Sequence, residues 1–237
     1  MNYIEGDIHD VIKTLDDNSV DFIYTDPPFA VTQASWDKPL LWEDLFPEMW
    51  RVLKPTGIIC LYASIPFTYE LLQYEKPKYH YSWKKNKSTC FFGAKKFPLR
   101  QIEEIFIYYK KPGTYNPQMI GEDFRPKQFY KVGSSKQNYY GKRDNLQQEK
   151  KILKSETEGH TGKYPTTFKD WNMRVDGTGI TRDDNQIDYF IKTYTNEDDT
   201  ILDMTHHNEI VGLRCELLKR NYIGVDISPD FIKKLIE

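Results

Sequence analysis

The chain has few cysteines and no long apolar run. Its three cysteines, Cys60, Cys90 and Cys215, are too few and too far apart for a disulfide framework or a metal-ligand pattern. Reduced thiols in an intracellular compartment are the expectation. No stretch of 18 apolar residues exists, which excludes a spanning helix and argues for no membrane partner. The start, "MNYIEGDIHD", carries acids early and lacks a basic segment leading into an apolar one, so the chain does not read as secreted. No internal repeat is present, and polarity outweighs apolarity. A content of 15% aromatic residues nevertheless sets the chain apart from disordered sequences.

A length of 237 residues suits one sizeable α/β domain, or one with an insertion. The pattern alternates. "VDFIYT" reads as a buried strand, "LLWEDLFPEMWRVLK" as a helix, "TGIICLYA" as a strand, "IPFTYELLQY" as a helix and "QIEEIFIYYKK" as a strand with a polar start. After Thr114 the periodicity fades until about Asp176. It returns as "NQIDYFIKTYT" (helix), "TILDM" (strand), "NEIVGLRCELLKR" (helix), "NYIGVDI" (strand) and "SPDFIKKLIE" (helix). Strands alternating with helices predict a mostly parallel, doubly wound, Rossmann-like α/β sheet. Ligands of such sheets sit at the carboxyl ends of the strands, where Asp26, Asp203 and Asp226 are expected. The expected organisation is residues 1–113 as one half of the main domain, 114–176 as an insertion, and 177–237 as the other half.

The net charge of −2 is uneven. From Lys111 to Asp170 there are 12 Lys and Arg against 7 Asp and Glu, a local excess of +5. Tyr115, Phe124, Phe129, Tyr130, Tyr139, Tyr140, Tyr164 and Phe168 are interleaved with those cations. Cations that meet phosphates, beside rings that stack on bases, suit a nucleic-acid surface; a solvated lysine-rich insertion is the plainer alternative.

"TDPPF" (Thr25 to Phe29) closes the first buried strand. Pro27 and Pro28 have fixed φ and no N–H, so the loop is stiff and its carbonyls are left as acceptors. A carboxylate, free carbonyls and a ring on a stiff loop can hold a planar aromatic amine. Two acceptors take the amine hydrogens, the ring stacks, and charge that develops on the nitrogen is stabilised. A capped turn after a strand is the alternative reading.

With its surroundings the motif resembles the amino-methylating DNA methyltransferases, in the permuted (β) group and nearest its phage-like adenine-N6 branch. "EGDIHDVIKTLDDNSVDFIYTDPPF", "WDKPLLWEDLFPEMWRVLKPTGIICLYASIPFTYELL", "WKKNKSTCFFGAKKFPLRQIEEIFIYYKK", "IKTYTNEDDTILD" and "RNYIGVDIS" carry the resemblance. It implies a class I methyltransferase fold, S-adenosylmethionine as cofactor, DNA as substrate with the base flipped out, and a place in restriction–modification. It implies a target-recognition region in the basic insertion, with Lys127, Lys131, Lys142 and Arg143 as DNA contacts. The catalytic loop would be Asp26, Pro27, Pro28 and Phe29: Asp26 and the Pro27 carbonyl hold the amine, and Phe29 stacks. The cofactor set would be Asp7, Asp203, Thr205 and Asp226. A cofactor-deficient homologue, or the same chemistry on cytosine N4 or RNA, stays open, as does a homodimer or a partner subunit.

One departure stands out. After Asp203 the chain reads "MTHHNEIVG", with His207 and Glu209 where the family keeps two glycines, and "TGITRD" (Thr178 to Asp183) near the place of its His-Pro-Thr-Gln-Lys-Pro signal. Side chains there are expected to crowd the cofactor. Any positive φ they adopted would cost on the order of 1 kcal/mol or more each. The two histidines are adjacent on a turn and cannot easily share one ion, so no metal is expected.

Overall fold

The computed structural model describes residues 1–32, 34, 36–89, 91–130, 152–176 and 179–227. They form two compact units, residues 1–116 with 166–237, and residues 117–165.

The larger unit contains β1 (Asn2–Glu5), α1 (Ile8–Thr14), β2 (Val20–Thr25), α2 (Trp42–Val52), β3 (Leu53–Ala63), α3 (Phe67–Tyr74), β4 (Tyr79–Thr89) and β5 (Arg100–Tyr108). The smaller unit contains β6 (Ile120–Tyr130) and β7 (Ile152–Lys163). The larger unit resumes with β8 (Phe168–Trp171), β9 (Met173–Asp176), β10 (Gly179–Arg182), α4 (Asp184–Tyr194), β11 (Thr200–Asp203), α5 (Ile210–Leu217) and β12 (Asn221–Asp226). The helix expected in "SPDFIKKLIE" lies outside the described residues.

Its eight-stranded sheet has the order β1-β12-β11-β2-β3-β5-β4-β8. All neighbouring pairs are parallel except those of β5, which runs antiparallel to β3 and β4. The central strand β2 is apolar and buried on both faces, as a strand covered by helices on each side must be. α2 presents Trp42, Leu45, Phe46, Met49 and Val52 at helical spacing to the sheet. One core packs α1, α2 and α3 against Ile59, Leu61, Ala63 and Leu202; the other packs α4 and α5 against Ile58, Cys60, Tyr62 and Ile201. Alternate residues of one strand thus feed opposite layers. The irregular register between Val20 and Phe22 puts Val20 and Ile23 in the same layer.

β2 continues through α2 to β3 on one side, while β11 continues through α5 to β12 on the other. The chain therefore switches direction between β11 and β2, and the carboxyl edge there is the position at which doubly wound sheets take their ligands. β8 falls within the segment that lacks periodicity, yet it pairs with the charged strand β4, and Trp83 Nε1 donates to the Trp171 carbonyl at 2.9 Å to join them. β9 and β10 form a hairpin that leads into α4.

In the smaller unit β6 and β7 pair antiparallel with two register shifts. Gly162 has φ +80°, and a Cβ there would lie 2.5 Å from the Gly121 carbonyl, so only glycine fits. Among the described residues no helix is long and apolar enough to cross a membrane.

Candidate active site

Strand register brings the acidic positions to one edge. Asp203 ends β11 opposite Tyr24 of β2 and Gly224 of β12, and Asp226 ends β12 opposite Glu5 of β1. Asp26 follows β2 directly, and Asp7 follows β1 after Gly6. At the switch point Thr25 is fully buried, its Oγ1 3.2 Å from Thr205 Oγ1, which ties the ends of β2 and β11 together.

Asp26 is held by Arg182, which precedes the N-cap of α4. Arg182 Nε donates to Asp26 Oδ2 at 2.7 Å and Nη2 donates to Oδ1 at 2.5 Å. The third arm, Nη1, donates to Glu103 Oε2 at 2.8 Å, and Lys85 Nζ donates to Glu103 Oε1 at 2.9 Å. The guanidinium lies 4.5 Å from the Tyr62 ring centroid and 4.8 Å from that of Trp83. Two cations and two anions form a balanced chain across β4, β5, β10 and the end of β2. Removal from water pushes the Asp26 carboxyl up, and the Arg182 charge and hydrogen bonds pull against that rise. Burial would also raise Glu103, but Arg182 and Lys85 hold it below its ordinary range.

The sequence pattern did not single out Arg182, Glu103 or Lys85. A signal existed for two of them. Lys85 continues the inward-facing positions Tyr81 and Trp83, and Glu103 shares a face with Ile105 and Ile107. A charge at an inward strand position must be paired.

Pro27 is buried and Pro28 partly so. The Phe29 ring is partly buried and stacks on Phe67 with centroids 5.4 Å apart. The chain beyond it is gathered by Asp37, whose carboxylate accepts the N–H groups of Ala30, Val31 and Thr32 at 2.7, 3.0 and 2.6 Å. Burial would raise Asp37, but these donors bring it below the usual carboxylate range.

Asp7 caps α1, accepting the His9 N–H at 2.9 Å, which holds its carboxyl low. The His9 ring joins Asp7 at 2.7 Å through Nδ1 and accepts the Leu41 N–H at 3.0 Å through Nε2, so the Nδ1 nitrogen carries the proton.

The turn after β11 has a polar filling. Asp203 is buried and accepts the Tyr222 hydroxyl at 2.9 Å and the Thr205 N–H at 3.2 Å. His206 is fully buried, with Nδ1 2.9 Å from the Tyr222 hydroxyl and its N–H on the Val225 carbonyl. Burial pushes Asp203 up to about 7 and His206 down to about 4. The backbone corrects the strain expected at this turn. Among the described non-glycine residues positive φ occurs at Asn18, Ala30, Asp198 and Lys219, not at His207 or Glu209. Glu209 takes an ordinary helical conformation (φ −66°) at the start of α5, and both side chains are exposed. His206 packs inward against the rings of Tyr3 and Tyr222. Asp226 is half-buried, and its carbonyl accepts the Gly6 N–H at 2.8 Å.

Lys127 lies in β6; Lys131, Lys142 and Arg143 lie outside the described residues.

The sequence profile of the N6/N4 methyltransferase family, described as DNA methylase, matches residues 20–237. The type II methyltransferase M.HpaI of Haemophilus parainfluenzae is 24% identical over 242 residues, spanning 94% of this chain and 68% of that protein. The PvuII DNA methyltransferase (cytosine-N4-specific) superposes with a TM-score of 0.65 at 13% identity, over 97% of this chain and 83% of that one. The M1.HpyAVI–SAM complex gives 0.59 at 17% identity, over 98% and 96%. At these identities the structural likeness speaks to the fold.

Proposed function

The chain belongs to the N6/N4 DNA methylase family, and on that premise we propose that it methylates the exocyclic N6 amine of adenine in DNA with S-adenosylmethionine as donor, the target base being flipped out of the duplex. The observation that carries the reading is the placement of Asp26-Pro27-Pro28-Phe29 at the end of β2, on the switch point of the sheet. The resemblance of the flanking segments to the adenine branch supports N6 over cytosine N4.

The residues present fit the cofactor. Asp226 is a half-exposed strand-end carboxylate, suited to a pair of ribose hydroxyls. Gln186, in the first turn of α4, is fully buried with neither amide atom paired among the described residues, the kind of group a bound ligand satisfies. Asp226, Asp203, Thr205 and the exposed Asp7 would hold the cofactor. When bound, it supplies an electrophilic methyl group on a sulfonium.

The chain's own part is to hold the amine. The Pro27 carbonyl and an Asp26 oxygen accept its two hydrogens, and the hydrogen bond to Asp26 strengthens as positive charge builds on the nitrogen. Phe29 supplies a ring for the base. Lys127, Lys131, Lys142 and Arg143 contact phosphates in this reading.

The test is transfer of labelled methyl from S-adenosylmethionine to unmethylated DNA, followed by nucleoside mass spectrometry. N6-methyladenine is the expected product. Label found in N4-methylcytosine instead would overturn the base assignment. Absence of cofactor binding by calorimetry, with and without DNA, would point to the cofactor-deficient homologue.

A further inference from the structure

We propose that Arg182 is the positioning residue of the reaction: its guanidinium keeps the Asp26 carboxylate charged and in one orientation, and stays attached while Asp26 receives the target amine. The inference rests on the function proposed above.

The geometry of the fork supports it. A carboxylate offers about four acceptor sites. Arg182 takes one on each oxygen, at 2.7 and 2.5 Å, and leaves the others for an incoming amine. Two parallel hydrogen bonds fix the carboxylate plane as well as its position. Arg182 is in turn fixed, by Glu103 through Nη1 and by the rings of Tyr62 and Trp83. Lys85 meets the remaining Glu103 oxygen, so Glu103 does not compete for the whole charge of Arg182. A network serving only stability could end at the Glu103–Lys85 pair. This one extends to a partly exposed carboxylate on the proline loop, which a buried framework does not need.

The charges around Asp26 show why it needs Arg182. Desolvation, Glu103 on β5 and the nearby Asp203 on β11 all favour the neutral acid; Tyr24 and Cys60 of the adjoining strands face it uncharged. Arg182 and, more weakly, His207 favour the carboxylate. Without Arg182 the balance tips toward the neutral acid, which presents a donor where the amine needs an acceptor. Arg182 belongs to the "TGITRD" segment, and only the fold carries its side chain to Asp26 on the proline loop.

The test uses Arg182→Gln and Arg182→Lys in the full chain. Two readouts are taken: the pH dependence of single-turnover methyl transfer, and the ¹³C titration of the Asp26 carboxyl, which requires no activity. For Arg182→Gln the acidic limb of the rate profile and the Asp26 titration should both move up by about one pH unit or more. Turnover at neutral pH should fall about 10–100-fold, with KM for DNA and cofactor little changed. Arg182→Lys keeps the charge and loses the fork, so it should leave the limb in place yet still lower turnover. An unmoved Asp26 titration in Arg182→Gln overturns the proposal. Should that variant not fold, wild-type turnover in Arg182→Lys overturns it instead. A wild-type protein that transfers no methyl group to DNA, while its Asp26 titration still shifts in Arg182→Gln, would sink the functional reading and leave the electrostatic half of the proposal standing.

Discussion

At the scale of single residues, the site is a set of carboxylates with unequal environments. Asp26→Asn keeps the shape of the side chain and removes the anionic acceptor. Turnover should fall by about 10²–10⁴-fold with the far-UV spectrum preserved. Retained turnover would remove Asp26 from the chemistry. Asp203 and His206, linked through the Tyr222 hydroxyl, make a second prediction. Native Asp203 titrates at about 7 against 3.8 for an ordinary aspartate, so between those values the native state binds more protons than the unfolded state. Stability contributed by Asp203 therefore falls as pH rises through that window. Native His206 titrates at about 4 against 6.5 for an ordinary histidine, so there the unfolded state binds more protons, and its contribution rises with pH. The two slopes oppose one another where the windows overlap. Relative to wild type, Asp203→Asn should make stability climb more steeply from acid toward pH 6.5, and His206→Gln should make it decline. Urea midpoints measured across that range decide it. Parallel curves for all three proteins would mean that burial does not act on these groups as argued.

At the scale of elements, the turn between β11 and α5 and the loop after Phe29 are each organised by one buried side chain, His206 and Asp37. Glu209 already has helical φ, so Glu209→Gly relieves nothing and adds backbone freedom to the unfolded chain. It should cost about 0.5–1 kcal/mol in chemical denaturation, without improving affinity for S-adenosylmethionine in calorimetry. A gain in affinity would show that the side chain does obstruct the pocket. Asp37→Ala leaves three N–H groups without their acceptor and should cost about 1–3 kcal/mol. Proteolytic cleavage near the exposed Trp36 should accelerate, since Asp37 closes that loop. Cleavage at the wild-type rate would mean that the loop is held by other interactions. Asp37 is depressed in the native state, so its contribution is present at neutral pH and disappears on acidification.

At the scale of the whole molecule, the uneven distribution of charge is the basis of the proposed DNA surface. The stretch from Lys111 to Asp170 carries its +5 excess on an otherwise acidic chain. Neutralising Lys127, Lys131, Lys142 and Arg143 should weaken duplex binding. It should flatten the slope of log affinity against log salt by roughly 0.9 for each phosphate that is no longer neutralised. An unchanged slope, measured by fluorescence anisotropy, would place the DNA surface elsewhere. Asp26, Arg182, Glu103 and Lys85 belong to the main unit and lie outside this group, so methyl transfer at low salt should survive the change better than binding at high salt.

Residue order alone determined the doubly wound α/β sheet, because the alternation of buried strands with amphipathic helices is local, and short-range sterics and burial enforce it. It also determined that "TDPPF" closes a strand, because two prolines stiffen a loop in any context. β4 was not legible: its lysines mask an alternation that shows only once Trp83 and Lys85 are seen to face inward. β8 was equally hidden, a short strand whose pairing with β4 involves residues more than eighty positions away. Tertiary structure alone decided the partner of Asp26. Arg182 lies 156 residues further along the chain, and its side chain reaches the loop only because β10 delivers it to the carboxyl edge of the sheet. The same holds for the turn after Asp203. The missing glycines read as strain in the sequence, and only folding shows His206 turned inward and the backbone in ordinary conformations. Local rules set the elements; which charge neutralises which is decided by what the sheet brings within hydrogen-bond reach.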